Sequence, residues 1–153
     1  MNRLVKSTLV VASALALGAL TLPAAARSSV GFLGRAQNPA DAGCFGEYYG
    51  SLVNNCSATK LMILPVTMDP GPFNNYLNAT VTAYAANGTG LVQCASFGID
   101  RASGGYWGGA YQNLPAFGSR QDIVLPGAFF YPDGAAYVAC YVGPGGQVNQ
   151  VRY

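Results

Sequence analysis

From Cys44 onward, apolar and polar residues alternate in short runs rich in Val, Thr, Tyr and Phe, and Gly, Pro and Asn interrupt these runs at close intervals. A period of two sends successive side chains to opposite faces of a strand, and the interrupting residues are those that turns favour. No stretch sustains the 3.6-residue period of an amphipathic helix. The pattern predicts strands over residues 59–66, 78–86, 90–97, 121–125, 135–142 and 147–152, with a further one at 47–53. Six to seven short strands in this length indicate an all-β chain, a single antiparallel β-sandwich.

The strongest local signal is Asn87-Gly88, which stands between two alternating runs. A type I′ turn needs positive φ at both central residues, and Asn-Gly meets that need at low cost. The resulting two-residue hairpin sets Val81 opposite Cys94 and Ala83 opposite Val92 on one inward face, and leaves Thr80, Thr82 and Gln93 on the other. In 135–142 the same parity groups Cys140 with Val138 and Val142. Cys94 and Cys140 thus both fall on aliphatic faces, as partners bridging either neighbouring strands or the two sheets. Cys44 is then left for Cys56, closing a local loop around Gly46 and Gly50.

The N-terminus changes the charge and the compartment. Arg3 and Lys6 precede an apolar run from Ser7 to Leu22, followed by Pro23 and the small-residue site Ala24-Ala25-Ala26, the order of a cleavable signal peptide spanning 1–26. The run is shorter than the roughly 20 residues of a membrane span. Cleavage after Ala26 leaves 153 − 26 = 127 residues, and the eight basic residues become six against six acidic ones. A mature chain that is formally neutral offers no electrostatic footprint for nucleic acid or an anionic membrane. Export, to the periplasm or the medium, takes all four cysteines to where thiols oxidise, so two disulfides are expected. Residues 27–43, small and polar with little periodicity, read as a loose N-terminal arm ahead of a sandwich domain at 44–153.

Candidate chemistry is sparse. The chain has no histidine, which removes the usual general base, the Ser-His-Asp and Cys-His arrangements and every imidazole metal site. No metal or other cofactor is expected. Ser57-Ala58-Thr59-Lys60 matches S-x-x-K, but that pairing needs a helix, and here it leads into a strand without its companion motifs. A carboxylate-dependent hydrolase would need Glu47 beside an aspartate, while the aspartates read as turn residues or neighbours of arginine. The Asn-x-Ser/Thr sequons at Asn55, Asn78 and Asn87 carry no functional weight.

Regular patterning fails between Ile99 and Ser119, where glycine alternates with large aromatics, and again in the proline- and asparagine-rich stretch 69–76. The first of these reads as a long surface loop. Tyr106, Trp107, Tyr111, Gln112 and Asn113 are its candidate binding residues: aromatic rings stack on the apolar C–H surface of sugars, and amides take the hydroxyls. The competing and favoured expectation is that Trp107 and some of the tyrosines fold the loop onto the sandwich. Function is therefore expected to be non-enzymatic, structural or binding, with a carbohydrate-binding module as the alternative and a hydrolase third. A polysaccharide or another surface protein is the expected partner.

Cys94, Tyr137-Val138-Ala139-Cys140, the Leu64-Pro65 strand end and the closing Val148-Asn149-Gln150-Val151-Arg152-Tyr153 together resemble small, uncharacterised secreted proteins of bacteria. The resemblance runs from Cys44 to Tyr153 and implies a signal peptide and a compact disulfide-bonded β fold. It implies no activity. Such chains often carry Cys-Pro where this one has Leu64-Pro65, its cysteine lying earlier at Cys56.

Overall fold

The computed structural model describes residues 27–67, 76–102, 104–131 and 133–153. The expected signal peptide and most of the 69–76 loop lie outside the described residues. In chain order the strands are β1 (Ser28–Val30), β2 (Arg35–Ala36), β3 (Phe45–Tyr48), β4 (Ser51–Asn54), β5 (Lys60–Val66), β6 (Tyr76–Leu77) and β7 (Thr80–Tyr84). They continue as β8 (Val92–Ile99), β9 (Tyr106–Gly108), β10 (Gln112–Asn113), β11 (Gln121–Val124), β12 (Ala128–Phe129), β13 (Ala135–Val142) and β14 (Gln147–Arg152). Sheet I runs β11-β7-β14-β4-β3, with β1 also on β14. Sheet II runs β10-β8-β13-β5-β2, with β9 also on β8, and β12 with β6 forms a separate ribbon.

Every pairing among the described residues is antiparallel. The expected fold class is therefore observed, with more and shorter strands than the alternation alone marked. The two sheets close on one core: Met62, Leu64, Val92, Cys94, Val138, Cys140 and Val142 from sheet II meet Val81, Ala83, Ile123, Val148 and Val151 from sheet I. Burying each such Val, Leu, Ile or Met side chain contributes roughly 1.5–3 kcal/mol before entropy is charged against it.

Both disulfides form as expected, Cys44 with Cys56 and Cys94 with Cys140. Cys94 lies directly across from Cys140 in the β8–β13 register, so the second bridge joins neighbouring strands of one sheet. The first closes the base of the β3–β4 hairpin, whose turn is Tyr49-Gly50. The stretch 47–53, expected as one strand, is thus two strands and a turn. Gly50 takes φ +81° and Tyr49 φ +46°, the left-handed pair that a two-residue hairpin requires. Asn54, fully buried, anchors this corner. Its amide nitrogen donates to the Ala58 and Val142 carbonyls at 2.8 and 2.7 Å, and its oxygen accepts from the Cys56 N–H at 3.0 Å.

Two expectations are corrected. Asn87-Gly88 does not make a hairpin: β7 pairs with β11 and β14 in sheet I, and β8 with β13, β9 and β10 in sheet II. Asn87 stays extended at φ −157°, and its side chain caps a short 3₁₀ turn, accepting from the Thr89 N–H at 3.0 Å. The parity holds, since Val81, Ala83, Val92 and Cys94 are all fully buried, but they face inward from opposite sheets. Residues 27–43, read as a loose arm, are tied to both sheets. β1 pairs with β14, β2 pairs with β5, and Arg27 exchanges backbone hydrogen bonds with Tyr153 at 2.8 Å each way.

Candidate functional site

In an antiparallel sandwich the outward side of each sheet meets water, and alternation should make it polar. Sheet I follows this rule apart from Val124 at the end of β11, which is exposed opposite Thr80. Thr80, Thr82, Asp122 and Arg152 occupy its outward positions, with the Thr82 hydroxyl donating to Asp122 at 2.7 Å and Arg152 forming an ion pair with the same carboxylate.

Sheet II breaks it. With Val138, Cys140 and Val142 facing the core, parity turns Tyr137, Ala139 and Tyr141 outward on β13. Their cross-strand partners on the same face are Pro65, Ile63 and Leu61 of β5 and Phe97, Ala95 and Gln93 of β8. Beyond β8, Tyr106 stands opposite Ile99. The rings form one cluster. Phe97 and Tyr137 stack with centroids 5.1 Å apart and planes 9° apart, Phe97 meets Tyr106 and Tyr111 at 6.2 and 6.1 Å, and Tyr111 meets Tyr141 at 5.0 Å.

Two depressions lie along β13 on either side of Tyr137. One, of about 270 Å³, is bounded by Tyr106, Tyr111, Tyr137, Tyr141 and the amide of Gln37. The other, of about 620 Å³, is bounded by Leu33, Arg35, Ile63, Pro65, Ile99 and Ala135 together with Tyr137. Tyr137 and Ile63 border both, so the two depressions adjoin in one groove line across the sheet.

Burial pushes the Tyr111 phenol up to about 12, helped by neighbouring Tyr141 and Tyr137 and by its hydrogen bond with Tyr141. Tyr137 is raised as well, by burial first and then by Tyr106. A phenol whose folded pKa lies above its unfolded value near 10 contributes stability that is complete below pH 10 and is lost as pH rises through the folded pKa. The denaturant midpoint is therefore expected to fall between pH 10 and about 12. Tyr111→Phe should flatten that fall; an unchanged slope in the variant would contradict the coupling.

The five residues expected in the glycine-aromatic segment do not form one site. Tyr106, 71% exposed, Tyr111 and Asn113 belong to the outward face. The Asn113 amide oxygen accepts from Gln93 at 2.6 Å. Gln112 pairs with Cys94 and Trp107 with Gly98, which places both on the opposite side of the sheet. There Trp107 packs edge-to-face on Phe129 and Tyr131 at 5.6 and 5.2 Å. The segment is also not one long loop: β9 and β10 both add to the edge of β8, joined through Gly108 and Gly109 at φ +100° and +90°.

Phe97, Tyr137, Tyr141 and Gln37 were not among the expected site residues. The available signal was the continuous apolar run of β5, Leu61 to Val66, in which both parities are apolar although the sheet is antiparallel. Glu47 lies instead on β3, the edge strand of sheet I, by a depression of about 290 Å³ bounded by Gly46, Tyr48, Val53, Asn55 and Gln147. Among the described residues that bound it, Glu47 is the only carboxylate. Lys60 donates to Asp41 at 2.6 Å, so the S-x-x-K lysine is engaged by a carboxylate.

These features define an all-β protein of two facing antiparallel sheets, held by two disulfides, with one aromatic outer face. No protein family, curated protein or solved structure matches the chain. Two disulfides fit an oxidising location, extracellular or periplasmic. No helix among the described residues is long and apolar enough to cross a membrane.

Proposed function

We propose that the protein is an exported, non-catalytic binding protein, secreted or periplasmic, of the kind its sequence resembles, and that the outward face of sheet II holds an extended polysaccharide. The observation that carries this reading is the row of rings on a face that should be polar. Contiguous exposed apolar surface on an antiparallel sheet marks a binding surface. Tyrosine suits a sugar better than a purely apolar partner, because each ring offers a flat apolar face and a hydroxyl at its rim. Gln37, Gln93 and Asn113 add amide donors and acceptors around the rings. The groove follows β13 from Tyr141 to Ala135, about 20 Å at 3.4 Å per residue, and so favours several consecutive sugar units over a single one.

The test is retention of the folded protein on immobilised polysaccharides. Tyr137, shared by both depressions, is the central ring, and Tyr137→Ala is expected to weaken retention at least tenfold, as loss of a central aromatic contact does. Trp107→Ala, on the other side of the sheet, should retain binding as long as it folds. Retention that survives Tyr137→Ala and is lost in a folded Trp107→Ala protein would move the site back to the glycine-aromatic segment.

A further inference from the structure

Three depressions adjoin on the outward side of sheet II: the two along β13 and a third of about 430 Å³ between β2 and β5, bounded by Ala36, Gln37, Pro39, Ala42, Ile63 and Arg35. Among the described residues, the side chains lining all three include a single charged one, Arg35. β2 sets Arg35 directly opposite Ile63, on the outward face and between the second and third depressions. It is exposed and forms no ion pair among the described residues, where the ion pairs are Lys60–Asp41 and Arg152–Asp122. Among the described residues this guanidinium, on an otherwise uncharged aromatic groove, has no carboxylate partner, which leaves its donors available to a ligand.

We infer that the ligand carries carboxylates, that is, that the polysaccharide contains uronic acid units, and that Arg35 determines this specificity. The inference rests on the polysaccharide reading of the groove. A guanidinium presents parallel N–H donors in a plane that matches the two oxygens of a carboxylate. Leu33, Ile63 and Pro65 flank the guanidinium with apolar surface on which the sugar ring can rest. Tyr137 lies in the same depression as Arg35, so one sugar can stack on the ring while its carboxylate, or that of the next unit, meets the guanidinium. Among the described residues, no carboxylate lines the groove to repel an acidic chain.

The experiment compares several uronic acid polymers, polygalacturonate, alginate and glucuronan, each with its carboxyl-reduced neutral form, by affinity electrophoresis at two salt concentrations. The wild-type protein should bind at least one acidic polymer roughly tenfold or more tightly than its reduced form, with the difference shrinking as salt rises. Arg35→Gln should remove that preference, with a wild-type thermal unfolding midpoint showing that the variant is folded. Arg35→Lys, which keeps the charge without the fork, should restore only part of it. Equal binding of acidic and reduced forms by the wild type, or a preference that persists in Arg35→Gln, would overturn the inference and leave the polysaccharide reading standing. Failure of every polymer in both forms would overturn the polysaccharide reading itself.

Discussion

Removing the Cys94–Cys140 bridge by the double substitution Cys94→Ala and Cys140→Ala is expected to lower the unfolding free energy by about 4 kcal/mol, against about 3 kcal/mol for Cys44→Ala with Cys56→Ala. The ordering follows from chain entropy: the first bridge closes a separation of 46 residues and the second one of 12. Packing acts in the same direction. Cys94 and Cys140 are fully buried in the core, so alanines there leave a void between the sheets. For a domain of this size a loss of this order takes roughly 10–20 °C from Tm. Urea unfolding of the two double variants measures the difference. A larger loss from the Cys44–Cys56 pair would show that the hairpin corner, and not the β8–β13 seam, holds the fold together.

Gly98→Val is the second large effect, expected to destabilise by about 3 kcal/mol or more. A Cβ on Gly98 would lie 1.8 Å from the Phe129 carbonyl oxygen and 2.6 Å from its carbonyl carbon. Both are backbone atoms, so no rotamer change relieves the clash. The β12 strand must move off β8, and Phe129 carries with it the contacts that hold Trp107. The same displacement would disturb β9 and therefore Tyr106 and the edge of the groove. Thermal unfolding measures the first consequence, and Trp107 fluorescence, from the only tryptophan in the chain, reports the second. A variant with wild-type Tm and emission would mean that β12 packs elsewhere.

Much of this fold was legible in the sequence because period-two alternation reports burial directly. The strands at 135–142 and 147–152 have the expected bounds, and parity alone placed Cys94 and Cys140 on inward faces. Parity does not report which strand lies alongside. Two inward-facing runs joined by Asn-Gly read the same whether they pair as a hairpin or face each other across a core, and here the chain crosses from sheet I to sheet II at that point. The short edge strands β1, β2, β9 and β10 escaped notice because two or three residues give alternation nothing to repeat.

The site was half legible. The glycine-aromatic segment drew attention to Tyr106 and Tyr111, which do reach the groove, but Trp107 follows Tyr106 immediately and strand geometry sends it to the other face. The rings that complete the cluster come from the central strands, where an aromatic residue reads first as core. They stand out only when both faces of β5, β8 and β13 are followed and the outward set proves as apolar as the inward one.

The central claim is that the outward face of sheet II is the binding surface. Amide chemical-shift mapping of the ¹⁵N-labelled protein, titrated with fragments of a retained polysaccharide, tests it most directly. The perturbed amides should centre on Ile63, Phe97, Tyr137, Ala139 and Tyr141 and extend to Arg35. Shifts centred on Thr82, Asp122 and Arg152 of sheet I, or changes on the aromatic face that follow protein concentration and ignore the sugar, would contradict it.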